Sequence, residues 1–141
     1  MTNDPSSTPT LLYTAPISVR WRDLDAFSHV NNSTYLTYLE EARVQWLQHL
    51  PGSWSDEHAV PVMAASTLNY RLPIEWPGEV HVELYAARVG NSSITIAHRI
   101  VDTADGKMLY CDGNVVMVWM DPATGKSVPL PQVIRDAASP R

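Results

Sequence analysis

The chain has 141 residues, 45% of them hydrophobic and 18% charged, with a net charge of -5. That length matches one ordinary domain around one core, and the composition excludes the disordered, collagenous and membrane-spanning classes. An acidic balance without any Lys/Arg cluster argues against a nucleic-acid backbone as partner, and the single cysteine, Cys111, leaves no intramolecular disulfide.

The opening stretch "MTNDPSSTPT" offers little to bury and has neither the basic start nor the apolar segment of a signal peptide. No apolar run approaches the ~20 residues that a transmembrane helix needs. A cytoplasmic protein is therefore expected, with no membrane partner. Residues 1–12 are expected as a disordered tail, 13–131 as the folded domain and 132–141 as a second flexible tail.

"ISVRWRD" alternates, placing Ile17, Val19 and Trp21 on one side, which predicts a half-buried strand. From residue 33 to 50 the period changes: Leu36, Leu39, Arg43, Trp46/Leu47 and Leu50 recur at three and four, with Tyr35, Ala42 and Val44 broadening the apolar face. This predicts one helix, stopped by Pro51 and Gly52, with Asn31 and Asn32 at the N-cap. The period then returns to two. "VMAASTLNYRL", "EVHVELYAARV", "SSITIAHRIV" and "KMLYCDGNVVMVWM" read as strands separated by turns at 75–78, 90–91, 102–106 and 121–125. Short connections imply antiparallel neighbours. The expected architecture is α+β, an antiparallel sheet of about five strands with one long helix to cover it. The last strand is apolar on both faces, Val116, Val118 and Met120 on one and Val115, Met117 and Trp119 on the other. One helix covers one face only, so a second subunit is expected at the other face or at the strand's edge.

The chemistry gathers at residues 20–32, "RWRDLDAFSHVNN", just ahead of the helix. A helix N-terminus presents unpaired N–H groups and about half a positive charge, enough to polarise a carbonyl or hold a developing oxyanion. Asp23, Asp25 and His29 precede that end, close enough to supply a base or nucleophile, and acyl transfer requires this pairing. Each also has a plainer reading. Asp23 caps a turn or pairs with Arg20 or Arg22, Asp25 is an Asx-turn residue, His29 packs the loop, and Asn31 and Asn32 only cap.

The longer stretch "RWRDLDAFSHVNNSTYLTYLEEAR" resembles the signature of the hotdog-fold acyl-CoA thioesterases, the 4-hydroxybenzoyl-CoA thioesterase-like group: a strand, D-x-D, a short loop, then N-x-x-Y-x-x-Y/F on a helix. "NYRLPIEWPGEVHVEL" and "VMVWMDPATGKSVPLP" resemble its later strands and tail. The resemblance implies a sheet wrapped around a central helix, a homodimer that in some members pairs into a homotetramer, and hydrolysis of an acyl-CoA or acyl-ACP thioester without a cofactor. It places the catalytic carboxylate on Asp25 and the carbonyl-polarising N–H on Asn32. "DLDAFSHVNN" also resembles the plant acyl-ACP thioesterases, whose "D-x-N-x-H" motif keeps His29 as an auxiliary but meets Phe27 where its Asn belongs. The stretch 62–66, with Met63, Ala64, Ala65 and Ser66, is expected to line the acyl pocket with Tyr35 nearby, and Arg88 is what remains of the basic cluster that grips CoA phosphates in some relatives.

Other chemistries fit poorly. There is no G-x-G-x-x-G, Walker or G-x-S-x-G motif. Cys111 reads as a strand residue, His98 as a satisfied core or interface histidine, and His49, His58 and His81 are too scattered for a metal site, so none is expected. The competing reading is a non-catalytic acyl-thioester binding protein of the same fold.

Overall fold

A computed structural model gives the structure of residues 8–140. The chain runs β1 (Thr10–Val19), a single 3₁₀ turn (Trp21–Asp23), α1 (Asn32–Gln48), β2 (Val60–Tyr70), β3 (Gly78–Val89), β4 (Ser93–Asp102), β5 (Leu109–Asp121), β6 (Lys126–Ser127) and α2 (Gln132–Ala138). All pairings are antiparallel, in the order β1-β3-β4-β5-β2, with the short β6 on β5.

One face of the sheet alternates into the core: Ile17 and Val19 from β1, Val80, Val82 and Leu84 from β3, Ile94, Ile96 and Ile100 from β4, and Val115, Met117 and Trp119 from β5. Onto it α1 lays Tyr35, Tyr38, Leu39, Ala42, Trp46 and Leu47, all buried. The burial of these apolar side chains, more than helix propensity, fixes α1 on the sheet. Leu36 and Val44, expected to widen the buried face, stay 44% and 46% exposed because they point away from the sheet. The opposite face of β5, with Val116, Val118 and Met120, is half-buried.

Four expectations change. The first strand begins at Thr10, inside the expected tail, because Thr10 and Leu11 pair with Ala86 and Tyr85 of β3; residues 1–7 lie outside the described residues. The strand also ends at Val19 rather than running on to Asp23, so Trp21 leaves the core parity and is 69% exposed. The expected C-terminal tail 132–141 instead forms α2, whose Ile134 and Ala138 are buried while Arg135 donates to the Gly90 and Asn91 carbonyls; residue 141 lies outside the described residues. Lastly, β2 and β3 are not neighbours. The connection 71–77 carries the chain from one sheet edge towards the other, held by the buried Ile74 and by the Val30 N–H donating to the Ile74 carbonyl at 2.9 Å.

That crossover leaves β2 at an edge, exposed along most of its length. Its pairing with β5 depends on Gly113, whose φ of +148° and closeness to the Thr67 carbonyl oxygen leave no room for a Cβ.

Candidate active site

Asn31 is the N-cap of α1: its Oδ1 accepts from the Ser33 N–H at 2.9 Å and from the Ser33 hydroxyl at 2.6 Å. The Thr34 N–H donates to the Asn31 carbonyl at 2.9 Å. Among the described residues no acceptor takes the Asn32 N–H, so the helix end keeps one donor for a partner from outside. Of the two adjacent asparagines, the first caps and the second presents the open N–H.

Between the 3₁₀ turn and α1 the chain makes a tight loop closed by the Leu24–Val30 bridge. The Asp25 N–H donates to the His29 carbonyl and the Ser28 N–H to the Asp25 carbonyl, each at 3.0 Å, with Ser28 in the left-handed region at φ 62°. Asp25 Oδ1 accepts the Phe27 N–H at 2.9 Å, an Asx turn. Among the described residues no cation pairs with the Asp25 carboxylate, and His29 Nε2 lies 3.9 Å from Glu75 Oε1. The plain reading of Asp25 as a turn residue is therefore true of one oxygen and leaves the other uncommitted.

These groups meet in one cleft of about 470 Å³, lined by Asp25, His29, Asn32 and Tyr35 and, from the far end of β2, by Tyr70 and Arg71. A slightly larger cleft of about 520 Å³ lies near the other end of α1, against β1 and α2, but brings no acid to a helix N-terminus.

Asp23 takes a different part. It is 5% exposed, its Oδ2 accepts the Arg20 N–H at 2.9 Å and the Tyr38 hydroxyl at 2.6 Å, and Arg20 Nη2 stands 3.4 Å from Oδ1. Burial alone raises its pKa, but the Tyr38 and Arg20 hydrogen bonds and the Arg20 charge outweigh it and hold the carboxyl below its ordinary value. Burial, with the same contact, pushes the Tyr38 phenol well above its ordinary range. Asp23 ties β1 to the second turn of α1, the structural role that its neighbouring arginines suggested.

Not every candidate converges here. Met63, Ala64, Ala65 and Ser66 are exposed on β2, away from Asp25: Met63 is seven residues from Tyr70 along the strand, about 23 Å. Arg88 is exposed at the opposite end of β3 from the loop, on a separate cleft that Arg135 also lines. Tyr35 does border the cleft, but it is 2% exposed and its hydroxyl donates to the Leu72 carbonyl at 3.2 Å. Tyr70, Arg71 and Leu72 were not anticipated as rim residues. They stand far away in sequence, and only the crossover brings them back to the helix end. Arg71 is committed to Asp112 through Nε at 3.2 Å and Nη2 at 3.1 Å.

Two other titratable side chains lie outside the cleft. Cys111 is buried and its thiol is pushed up to about 11 by burial and by Asp112, so it is a protonated core residue. His98 is buried in the sheet core, but neither ring nitrogen has a hydrogen-bond partner among the described residues, which corrects the expectation of a satisfied histidine. Burial and the Arg43 charge push its pKa down to about 4. The described residues contain no His/Cys/Asp/Glu group that would hold a metal ion, and no described helix is long and apolar enough to cross a membrane.

A thioesterase-like superfamily model matches residues 19–138, which takes in the loop, the helix and the whole sheet after β1. The chain belongs to that superfamily. Among its relatives is the long-chain acyl-CoA thioesterase FadM of Escherichia coli, 27% identical over 122 residues, 85% of this chain and 92% of FadM. The PA2801 protein of Pseudomonas aeruginosa is 41% identical, superposes with a TM-score of 0.83 and covers 92% of this chain and all of its own. A thioesterase from Thermus thermophilus, solved with coenzyme A and zinc, is 32% identical with a TM-score of 0.75 over 94% of this chain and all of its own. This superfamily member is a thioester hydrolase with the hotdog fold, as the motif at residues 20–43 implied.

Proposed function

We propose that the protein hydrolyses acyl-CoA thioesters, with Asp25 as the catalytic carboxylate and the Asn32 N–H as the donor that polarises the thioester carbonyl. The observation that carries this reading is the convergence on one cleft of a carboxylate oxygen and a helix-end N–H that have no partner among the described residues. Negative charge gathers on the thioester oxygen as the acyl carbon is attacked, and a fixed N–H at a helix N-terminus stabilises it at little reorganisation cost. Asp25 acts by one of two routes. As a nucleophile it forms a mixed anhydride and expels the thiolate, after which water cleaves the anhydride; as a base it takes a proton from the water that attacks. Either way one thioester and one water give one carboxylic acid and one thiol. His29, at the other end of the same tight loop, is assigned an auxiliary place beside the departing thiol or the water. CoA is favoured as carrier over ACP because FadM is named for acyl-CoA and the Thermus relative was solved with coenzyme A.

The same reading includes a homodimer in a cytoplasmic setting. β2 is an unpaired edge with Val62 and Met63 38% and 42% exposed, a surface that soluble proteins rarely leave bare. A second copy against this edge accounts for Met63, Ala64, Ala65 and Ser66 better than the chain's own cleft does. Met63→Asp is expected to shift the sedimenting species towards the monomer; an unchanged assembly removes β2 from the interface.

Thiol release from a panel of short, long and aryl acyl-CoA substrates tests the chemistry. Wild type is expected to turn over at least one of them, and Asp25→Asn to lose on the order of 10²-fold or more in kcat. Full turnover in Asp25→Asn overturns the assignment.

A further inference from the structure

Two tyrosines join the first turn of α1 to the end of β2 in opposite senses. From the helix, the Tyr35 hydroxyl donates to the Leu72 carbonyl at 3.2 Å; from the strand, the Tyr70 hydroxyl donates back to the Asn32 carbonyl at 3.1 Å. Their rings meet edge to face with centroids 5.0 Å apart. Tyr35 is 2% exposed and fills the core, whereas Tyr70 is 46% exposed, so its hydroxyl is not there to fill space.

We infer that Tyr70 is a positioning residue for the hydrolysis: by holding the Asn32 carbonyl it fixes the direction in which the Asn32 N–H points. The inference rests on the reading of that N–H as the donor to the thioester oxygen. An N–H direction is set by its peptide plane, and two planes meet at the Asn32 Cα. The 31–32 plane carries the open N–H, and its carbonyl, that of Asn31, accepts from Thr34. The 32–33 plane has its N–H on Asn31 Oδ1 and its carbonyl on Tyr70. Asn31, Ser33 and Thr34 belong to the same turn and move with it. Tyr70 ties that turn to the sheet from 38 residues away.

Helix ends fray, and an oxyanion donor must meet its acceptor at about 2.7–3.1 Å, so a tether at this turn acts on the transition state rather than on substrate affinity. A carbonyl has two lone pairs, and Tyr70 therefore adds to the helical bond at Asn32 without displacing it. Burial, with the nearby Cys111, raises the Tyr70 phenol above its ordinary pKa, which keeps it a donor through neutral and mildly alkaline pH.

The test is steady-state kinetics of wild type, Tyr70→Phe and Asp25→Asn on one acyl-CoA, together with amide hydrogen exchange. Tyr70→Phe keeps the ring against Tyr35 and loses only the hydroxyl. Its kcat is expected to fall about tenfold with KM within about twofold, since a misplacement of order 1 Å costs up to ~10²-fold. Exchange at the Ser33 and Thr34 amides, which are hydrogen-bonded within that turn, is expected to quicken while that at Tyr38, further along the helix, does not. An unchanged kcat, or a rise in KM alone, overturns the positioning role. Asp25→Asn separates the failures: an inactive Asp25→Asn beside a fully active Tyr70→Phe sinks only the tether, whereas full turnover in Asp25→Asn sinks the reading of the site and the tether with it.

Discussion

Asp23 and Asp25 are the same side chain two residues apart, and the fold treats them in opposite ways. Asp23 ends a 3₁₀ turn, faces inward at 5% exposure and accepts from Arg20 and Tyr38. Asp25 begins a tight loop, faces a cleft and accepts one backbone N–H. A carboxylate whose lone pairs are all engaged contributes to stability and has nothing left for a substrate. One whose lone pairs are largely open contributes little to stability and keeps its reactivity. The difference between an anchor and a carboxylate still open to a substrate lies in the partners that the chain brings to each, not in the residue type.

The largest expected effect is on turnover. Asp25→Asn should remove most of kcat and leave the melting temperature almost unchanged, because the only bond of its side chain within the described residues is a solvent-exposed Asx contact that asparagine reproduces. Calorimetry with thiol-release kinetics checks both. A melting temperature lowered as far as that of the corresponding Asp23 variant would erase the contrast.

Next comes stability at Asp23. Asp23→Asn places an amide N–H₂ where two donors and a guanidinium converge, at a cost of about 2–3 kcal/mol by denaturant titration. The sign of its pH dependence follows from the lowered pKa. Stability from Asp23 is complete above the ordinary carboxylate pKa of 3.8 and is lost as pH falls through the lower folded value. The wild type should therefore lose stability on the acid side more steeply than Asp23→Asn; equal acid limbs would mean that the buried carboxylate is not a charged anchor.

A smaller effect concerns a buried group that has no hydrogen-bond partner among the described residues. His98 is neutral when folded, with its pKa lowered from 6.5 to about 4, so the unfolded chain binds the proton first. Stability then falls as pH drops below 6.5 and levels off only below about 4, a change of about 2 kcal/mol between pH 7 and pH 5. Removing the ring nitrogens in His98→Leu should flatten that slope in melts across this range. An unchanged slope would place the titration elsewhere.

What was legible in the sequence is what is local. Asn31 and Ser33 are two residues apart, so the cap can be read from neighbours, and Asp25, His29 and Asn32 fall within one short stretch. The 3.6 and 2.0 periods marked α1 and the four longer strands after it. The start of β1 was missed because Thr10 and Leu11 gain their order from β3 rather than from their own pattern. α2 was missed because a helix of 7 residues has almost no helical signal without the burial of Ile134. The parity that put Trp21 inside failed at the turn that Asp23 caps. Tyr70 and Arg71 were beyond reach for a different reason: strand pairing order decides which residues arrive at the helix end, and a short connection between β2 and β3 gave no sign that the two strands would not pair.

The most direct test of the division of labour is kcat and melting temperature measured side by side for Asp23→Asn and Asp25→Asn. A crossed result is expected: Asp25→Asn folded as firmly as wild type with turnover down on the order of 10²-fold or more, and Asp23→Asn melting well below wild type while retaining substantial turnover at a temperature where it is folded. Turnover preserved in Asp25→Asn and abolished in folded Asp23→Asn would contradict it.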